Sequence, residues 1–157
     1  MTTGFIIAAS VFFGVALLLG FIRLIFSSVR KKLETYIQVN FDKKDVLGVT
    51  TRANFFGEQS KGARQIRGNG ALVLTKDQVH FIRALPFKEI AIPLKSVSGV
   101  SLPDSFNGKT VFSRLLCIHF QTPAGADAFG IAVKDPETWK EAIENLIRSG
   151  KDSGQVF

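Results

Sequence analysis

Nineteen residues near the N-terminus, Gly4 to Ile22, read GFIIAASVFFGVALLLGFI and carry no charged side chain. A helix rises about 1.5 Å per residue, so roughly 20 apolar residues cross the hydrocarbon core of a bilayer. Lipid offers the backbone no partners, and a helix satisfies its own peptide groups. Residues 1–26, ending in Leu24-Ile25-Phe26 after Arg23, are therefore expected to hold a transmembrane helix. A cleaved signal peptide would need a basic n-region, which MTTG lacks, and a small-residue cleavage site, which does not follow. A buried core helix is not the expected reading, because Phe, Leu, Ile and Val occur on every face.

The flanking charges set an orientation. Arg23, Arg30, Lys31, Lys32, Lys43 and Lys44 all lie on the C-terminal side of the span. The positive-inside rule then puts the N-terminus outside and the rest of the chain in the cytoplasm, at the plasma (inner) membrane. Gly4, Gly14 and Gly20 form no GxxxG pair, so nothing points to helix dimerisation through them.

Residues 27–45 form a basic juxtamembrane connector. Val29, Leu33, Tyr36 and Ile37 recur at helical spacing, which predicts that the membrane helix continues for a turn or two. Ile37, Val39 and Phe41 alternate, which predicts a switch to extended chain near there. Arg30, Lys31 and Lys32 are candidate anionic-lipid ligands, at about 1 kcal/mol per basic residue near the surface. The plainer reading is a topology signal that any single-span protein carries.

About 110 residues remain, enough for one domain with a core and too few for two. The net charge of +7 lies mostly in the connector and the body of this domain. For a tethered chain the nearest polyanion is the membrane surface. Cys117 is the single cysteine, so no internal disulfide forms, which suits a reducing compartment.

Within residues 46–150 the pattern is of short strands and turns. Strands are predicted at 46–56, 70–75, 79–84, 89–92, 95–102 (with a bulge at Gly99), 110–121 as the longest, and 126–133. Residues 57–69 read as a loop, and Asn107-Gly108 as a tight turn. On the strand at 110–121, Leu116, Ile118 and Phe120 share one face and Cys117, His119 and Gln121 the other. The period then changes to that of a helix. Asp135 is the expected N-cap, Pro136 the first helical residue, and Gly150 the stop. Trp139, Ala142, Ile143, Leu146 and Ile147 make its apolar face. Residues 151–157 are expected to be a flexible tail.

The prediction is a mainly β fold: seven antiparallel strands in a barrel or sandwich, closed by a C-terminal capping helix. Gly70 to Thr75, Val79-His80-Phe81, Ile92-Pro93-Leu94, Val97 to Val100 and the Trp139 helix carry a resemblance. In that order they resemble the pleckstrin-homology (PH)-like superfold, its GRAM-like branch in particular, over about residues 46–148. ANFFGEQ with QIRGNG resembles a block of membrane-anchored bacterial PH-like proteins, and the lean single-cysteine chain suits a bacterium. The resemblance implies a binding module.

Lys61, Arg64 and Arg67 are the candidate lipid ligands within the domain. PH-like domains that bind phosphoinositides place cations in this loop, where they meet phosphates with backbone N–H groups. The spacing here is K-x-x-R-x-x-R, which departs from the family's usual K-x(n)-K/R-x-R. The alternative is a solvated basic loop. Phe55 and Phe56, beside it, are candidate membrane-contacting residues if exposed, and core residues if not.

Gly68-Asn69-Gly70 precedes a strand and lacks a following GKS/T, so it is no phosphate loop. Cys117 and His119 fall short of a zinc site, and His80 stands alone. No serine sits in a G-x-S-x-G setting. No enzyme activity, cofactor or metal is expected. Nucleic acid is not the expected partner, since only Phe55-Phe56 near Arg52 and Arg64 interleaves aromatic and basic residues. Two functions remain open: weak contact with anionic lipid headgroups, or assembly with another membrane protein without lipid specificity.

Overall fold

The computed structural model describes residues 2–152, with side chains from 11 to 150. From Ser153 on, the tail expected after the last helix lies outside the described residues.

One unbroken helix, α1 (Thr2–Asn40), contains both the apolar segment and most of the connector. Its 39 residues span about 58 Å. The stretch from Val11 is long and apolar enough to cross a membrane, and the domain buries none of its most apolar window. The switch to extended chain expected near Ile37 comes only at Val46. The reason is tertiary. Ile37 lies one turn beyond Leu33, and both are buried against the domain, whereas Val39 is exposed.

Among the described residues nine antiparallel strands follow: β1 (Val46–Glu58), β2 (Gly68–Thr75), β3 (Gln78–Arg83), β4 (Lys88–Pro93), β5 (Val97–Ser101), β6 (Ser105–Phe106), β7 (Lys109–Thr110), β8 (Leu116–Thr122) and β9 (Gly125–Ala132). Seven form one sheet in the order β4-β3-β2-β1-β9-β8-β5. The β6–β7 hairpin stands apart. It turns at Asn107 (φ 50°) and Gly108 (φ 71°), the left-handed pair that a two-residue hairpin needs.

Every strand of the large sheet sends side chains into one core. Phe55, Leu72, Phe81, Ile92, Val97, Ile118 and Phe129 all belong to it, so the sheet curls on itself. Helix α2 (Pro136–Asp152) lays Trp139, Ala142, Ile143, Leu146 and Ile147 on the same core, the face expected from its period.

Four details differ from the sequence expectations. The strand expected at 110–121 begins at Leu116, because Thr110 belongs to the separate β6–β7 hairpin and the Leu115 amide bonds to Pro103 O instead. That makes β1 the longest strand; it runs through Gly57 to Glu58, with a register shift at that point. Asp135 takes φ 51°, outside the extended range of an ordinary N-cap, though its carbonyl accepts from Thr138 N at 3.1 Å. Gly150 does not stop α2, since it keeps a helical φ and the helix continues to Asp152.

Candidate functional site

The outer face of β2 explains how α1 is held. Leu72 and Leu74 point into the core, so Ala71 and Val73 point out, yet all four are buried. What covers Ala71, Val73 and Ile82 of β3 is the α1 stripe Leu33–Ile37, flanked by Val29, Tyr36 and Phe41. Burying two such side chains contributes about 1.5–3 kcal/mol each. Polar contacts finish the seam. The Tyr36 hydroxyl donates to Glu89 Oε2 at 2.6 Å, and Glu89 Oε1 lies 2.7 Å from His80 Nδ1. The Phe41 ring meets His80 edge-on, and the Tyr36 ring meets Phe87 likewise.

This seam gives the domain a direction. Arg23 and Phe26 share a groove with Asn54 and Asn69, at the end of the sheet that carries the β1–β2 and β3–β4 loops. Asn40 and Phe41 border the opposite end, at the β2–β3 turn. The apolar part of α1 thus leaves the domain on the side of the β1–β2 and β3–β4 loops.

Those loops are tightly knit. A short 3₁₀ turn at Gln59–Lys61 is pinned by Asp127 of β9, whose carboxylate accepts from Ser60 N at 2.9 Å and Ser60 Oγ at 2.6 Å. Burial alone would raise the Asp127 carboxyl. The Ser60 hydroxyl and amide, the Ala128 amide and the Lys61 charge outweigh that and hold it below the usual carboxylate range. Gln65 folds back as an internal clamp, donating to Glu58 O at 2.6 Å and Gly62 O at 2.8 Å while accepting from Glu58 N at 3.0 Å. Asn107 and Lys109 of the β6–β7 hairpin donate to Glu58 O and Gln65 O. The segments ANFFGEQ and QIRGNG are therefore two halves of one hydrogen-bonded loop. Arg83 joins it to the next loop, donating to both Ile66 O and Leu85 O at 3.1 Å.

The candidate residues fare differently. Arg64 is exposed, with no side-chain partner among the described residues. Lys61 is half exposed and pairs with Glu58 at 2.6 Å. Arg67 is held in place, with its guanidinium 4.2 Å over the Phe56 ring and bonded to Thr110 O at 2.9 Å. On α1, Arg30 pairs with Glu34 at 2.8 Å, while Lys31 and Lys32 are exposed.

Phe55 and Phe56 do not offer a membrane-contacting surface, and that expectation is corrected. Phe55 is buried in the main core between Phe81 and Phe129. Phe56 points the other way and is buried too, with Phe106, Leu115, Cys117 and Ala128. Adjacent strand residues face opposite sides, and here both sides are covered. The exposed apolar tips at this end are instead Ile66 (78%), Leu85 (70%) and Phe87 (57%). Sequence reasoning missed them because a lone apolar residue in a loop has no period.

On the far strands, Cys117 is buried, and burial pushes its thiol up. His119 Nε2 lies 2.8 Å from Ser101 Oγ. Among the described residues no three His, Cys, Asp or Glu side chains gather as metal ligands would.

No protein-family profile and no curated protein matches this sequence. Solved structures do resemble it. The Vps36 N-terminal PH domain superposes with a TM-score of 0.50 at 16% identity, over 66% of this chain and 79% of that one. A chain of the 8S snRNP assembly intermediate gives 0.50 at 9% identity, over 69% and 83%. The C-terminal domain of an unknown protein from Leishmania infantum gives 0.48 at 12%, over 80% and 97%. At such identities the first two are likenesses of fold alone, and the PH domain among them makes that fold PH-like.

Proposed function

We propose that this protein is a single-pass, membrane-anchored binding module, with α1 crossing the plasma (inner) membrane and the PH-like domain on its cytoplasmic face. Its work is contact with anionic lipid headgroups, without catalysis. The observation that carries this reading is the seating of α1 on β2 and β3, which aims the β1–β2 and β3–β4 loops along the direction of the apolar segment. Arg64 and Lys61, with Lys31 and Lys32, would meet the phosphates, and Ile66, Leu85 and Phe87 would reach the headgroup layer. Because α1 holds these groups at the surface, each contact need only be weak.

Hydrogen–deuterium exchange on the full chain in nanodiscs tests it. Residues 59–67 and 84–87 are expected to be protected in anionic discs relative to neutral ones. That protection should fade with salt and be lost in Lys61→Ala/Arg64→Ala. Equal exchange in both lipids at low salt would sink the lipid reading.

A second reading rests on a different observation. Strands β4 and β5 end the sheet without a further partner among the described residues. Either edge could accept a strand from another membrane protein, making the domain an assembly module.

A further inference from the structure

Between α1 and β1 lies a groove of about 570 Å³. It lies at the β1–β2 end of the sheet, on the flank where α1 crosses β1. Its apolar lining includes Phe26 and Val29, and three guanidinium groups border it: Arg23 and Arg30 from α1, and Arg52 from β1. Arg30 is paired with Glu34. The Arg23 and Arg52 side chains have no partner among the described residues, and both are exposed.

One further feature points to a ligand. Arg23 is the first charge after the apolar run, so the groove opens where α1 passes from apolar to basic.

We propose that this groove holds one anionic glycerophospholipid. Its phosphate binds Arg23 and Arg52, and its acyl chains run from there along α1 toward the apolar segment. The inference rests on α1 lying in a bilayer, as proposed above, but not on the loop contact. A headgroup with its first methylenes suits a space of this size. The bound lipid would also fill the wedge between helix and sheet.

Native mass spectrometry of the full chain released from detergent, titrated with phosphatidylglycerol or phosphatidylcholine, reads this directly. One retained phosphatidylglycerol per chain is expected, with phosphatidylcholine held at least about tenfold more weakly. Arg23→Gln/Arg52→Gln should lower phosphatidylglycerol retention by about tenfold or more. Both side chains are exposed, so the thermal midpoint should stay put. Lys95→Gln, exposed and outside the groove, should leave retention unchanged. Equal retention of the two lipids, or a double arginine variant that retains lipid like the parent, overturns the proposal. Unchanged loop exchange with the lipid adduct intact would count against the loop contact alone. Release of the chain from membranes by alkaline carbonate would overturn both readings.

Discussion

The Tyr36 hydroxyl donates to Glu89 Oε2 at 2.6 Å, joining helix α1 to a strand 53 residues further along. With Leu33 and Ile37 seated beneath, this bond makes α1 part of the domain's structure and not a loose tether. Tyr36→Phe removes the donor and leaves one carboxylate oxygen without a protein partner. A loss of about 1 kcal/mol is expected, measured by denaturant unfolding in detergent with the single tryptophan, Trp139, as the probe. An unchanged midpoint would mean the bond is not maintained.

Leu33→Ala should cost about 2–4 kcal/mol, because the residue is buried against Ala71, Val73 and Ile82. Val39→Ala, on the exposed side of the same helix, should cost less than about 0.5 kcal/mol. A fragment starting at Val46 uncovers the outer face of β2 and is expected to aggregate, whereas one starting at Ser27 is expected to stay monomeric. Size-exclusion chromatography of the two fragments distinguishes these outcomes.

How much of this was legible in the sequence is decided by range. The apolar run, the strands around Leu72, Phe81 and Ile131, and the Trp139 face follow from local period, and the structure has them. The seat of α1 is non-local, yet it left a trace. Ala71-Leu72-Val73-Leu74 is apolar throughout, where a strand with one wet face would alternate. Such a run asks for a cover on each side, and the stripe Val29-Leu33-Ile37 was the available one. The inner structure of the β1–β2 loop left no such trace. Gln65, Asn107 and Lys109 act through hydrogen bonds across distant segments, and nothing in their spacing announces it. For the same reason Arg67 read as a free cation although it lies on Phe56.

Gly70 of β2 pairs with Arg83 of β3, with no room for a side chain. A Cβ there would collide with the Ile82 carbonyl oxygen and come within 2.7 Å of the Phe81 ring. Gly70→Ala is expected to destabilise by about 3 kcal/mol, since backbone on one side cannot yield. Thermal unfolding checks it. Gly99→Ala, where a Cβ meets nothing within 4 Å, is the matched control.

Asp127 makes loop anchoring pH-dependent. Its folded-state pKa is depressed, so its contribution is complete above the ordinary carboxylate range, about 4, and is lost as pH falls through the lower folded value. Asp127→Asn should lower stability by about 1 kcal/mol at pH 7. It should also flatten the acid limb of the stability profile below about pH 4. Parallel profiles for parent and variant would contradict this anchoring role.

The proposed topology rests on the charges after Ile22. On intact cells an external protease should leave the domain untouched, and it should be degraded once the membrane is opened. Degradation of the domain on intact cells would reverse the proposed orientation.

The central claim is that the seat of α1 turns the β1–β2 and β3–β4 loops toward the bilayer. The most direct test is fluorescence quenching by brominated lipid, using the full chain in nanodiscs and a Cys117→Ala background. A single fluorophore is placed at Leu85→Cys or, at the opposite end of the sheet, at Asp77→Cys. Strong quenching at position 85 and little at 77 is the predicted result. Equal quenching at the two positions, or stronger quenching at 77, would contradict it.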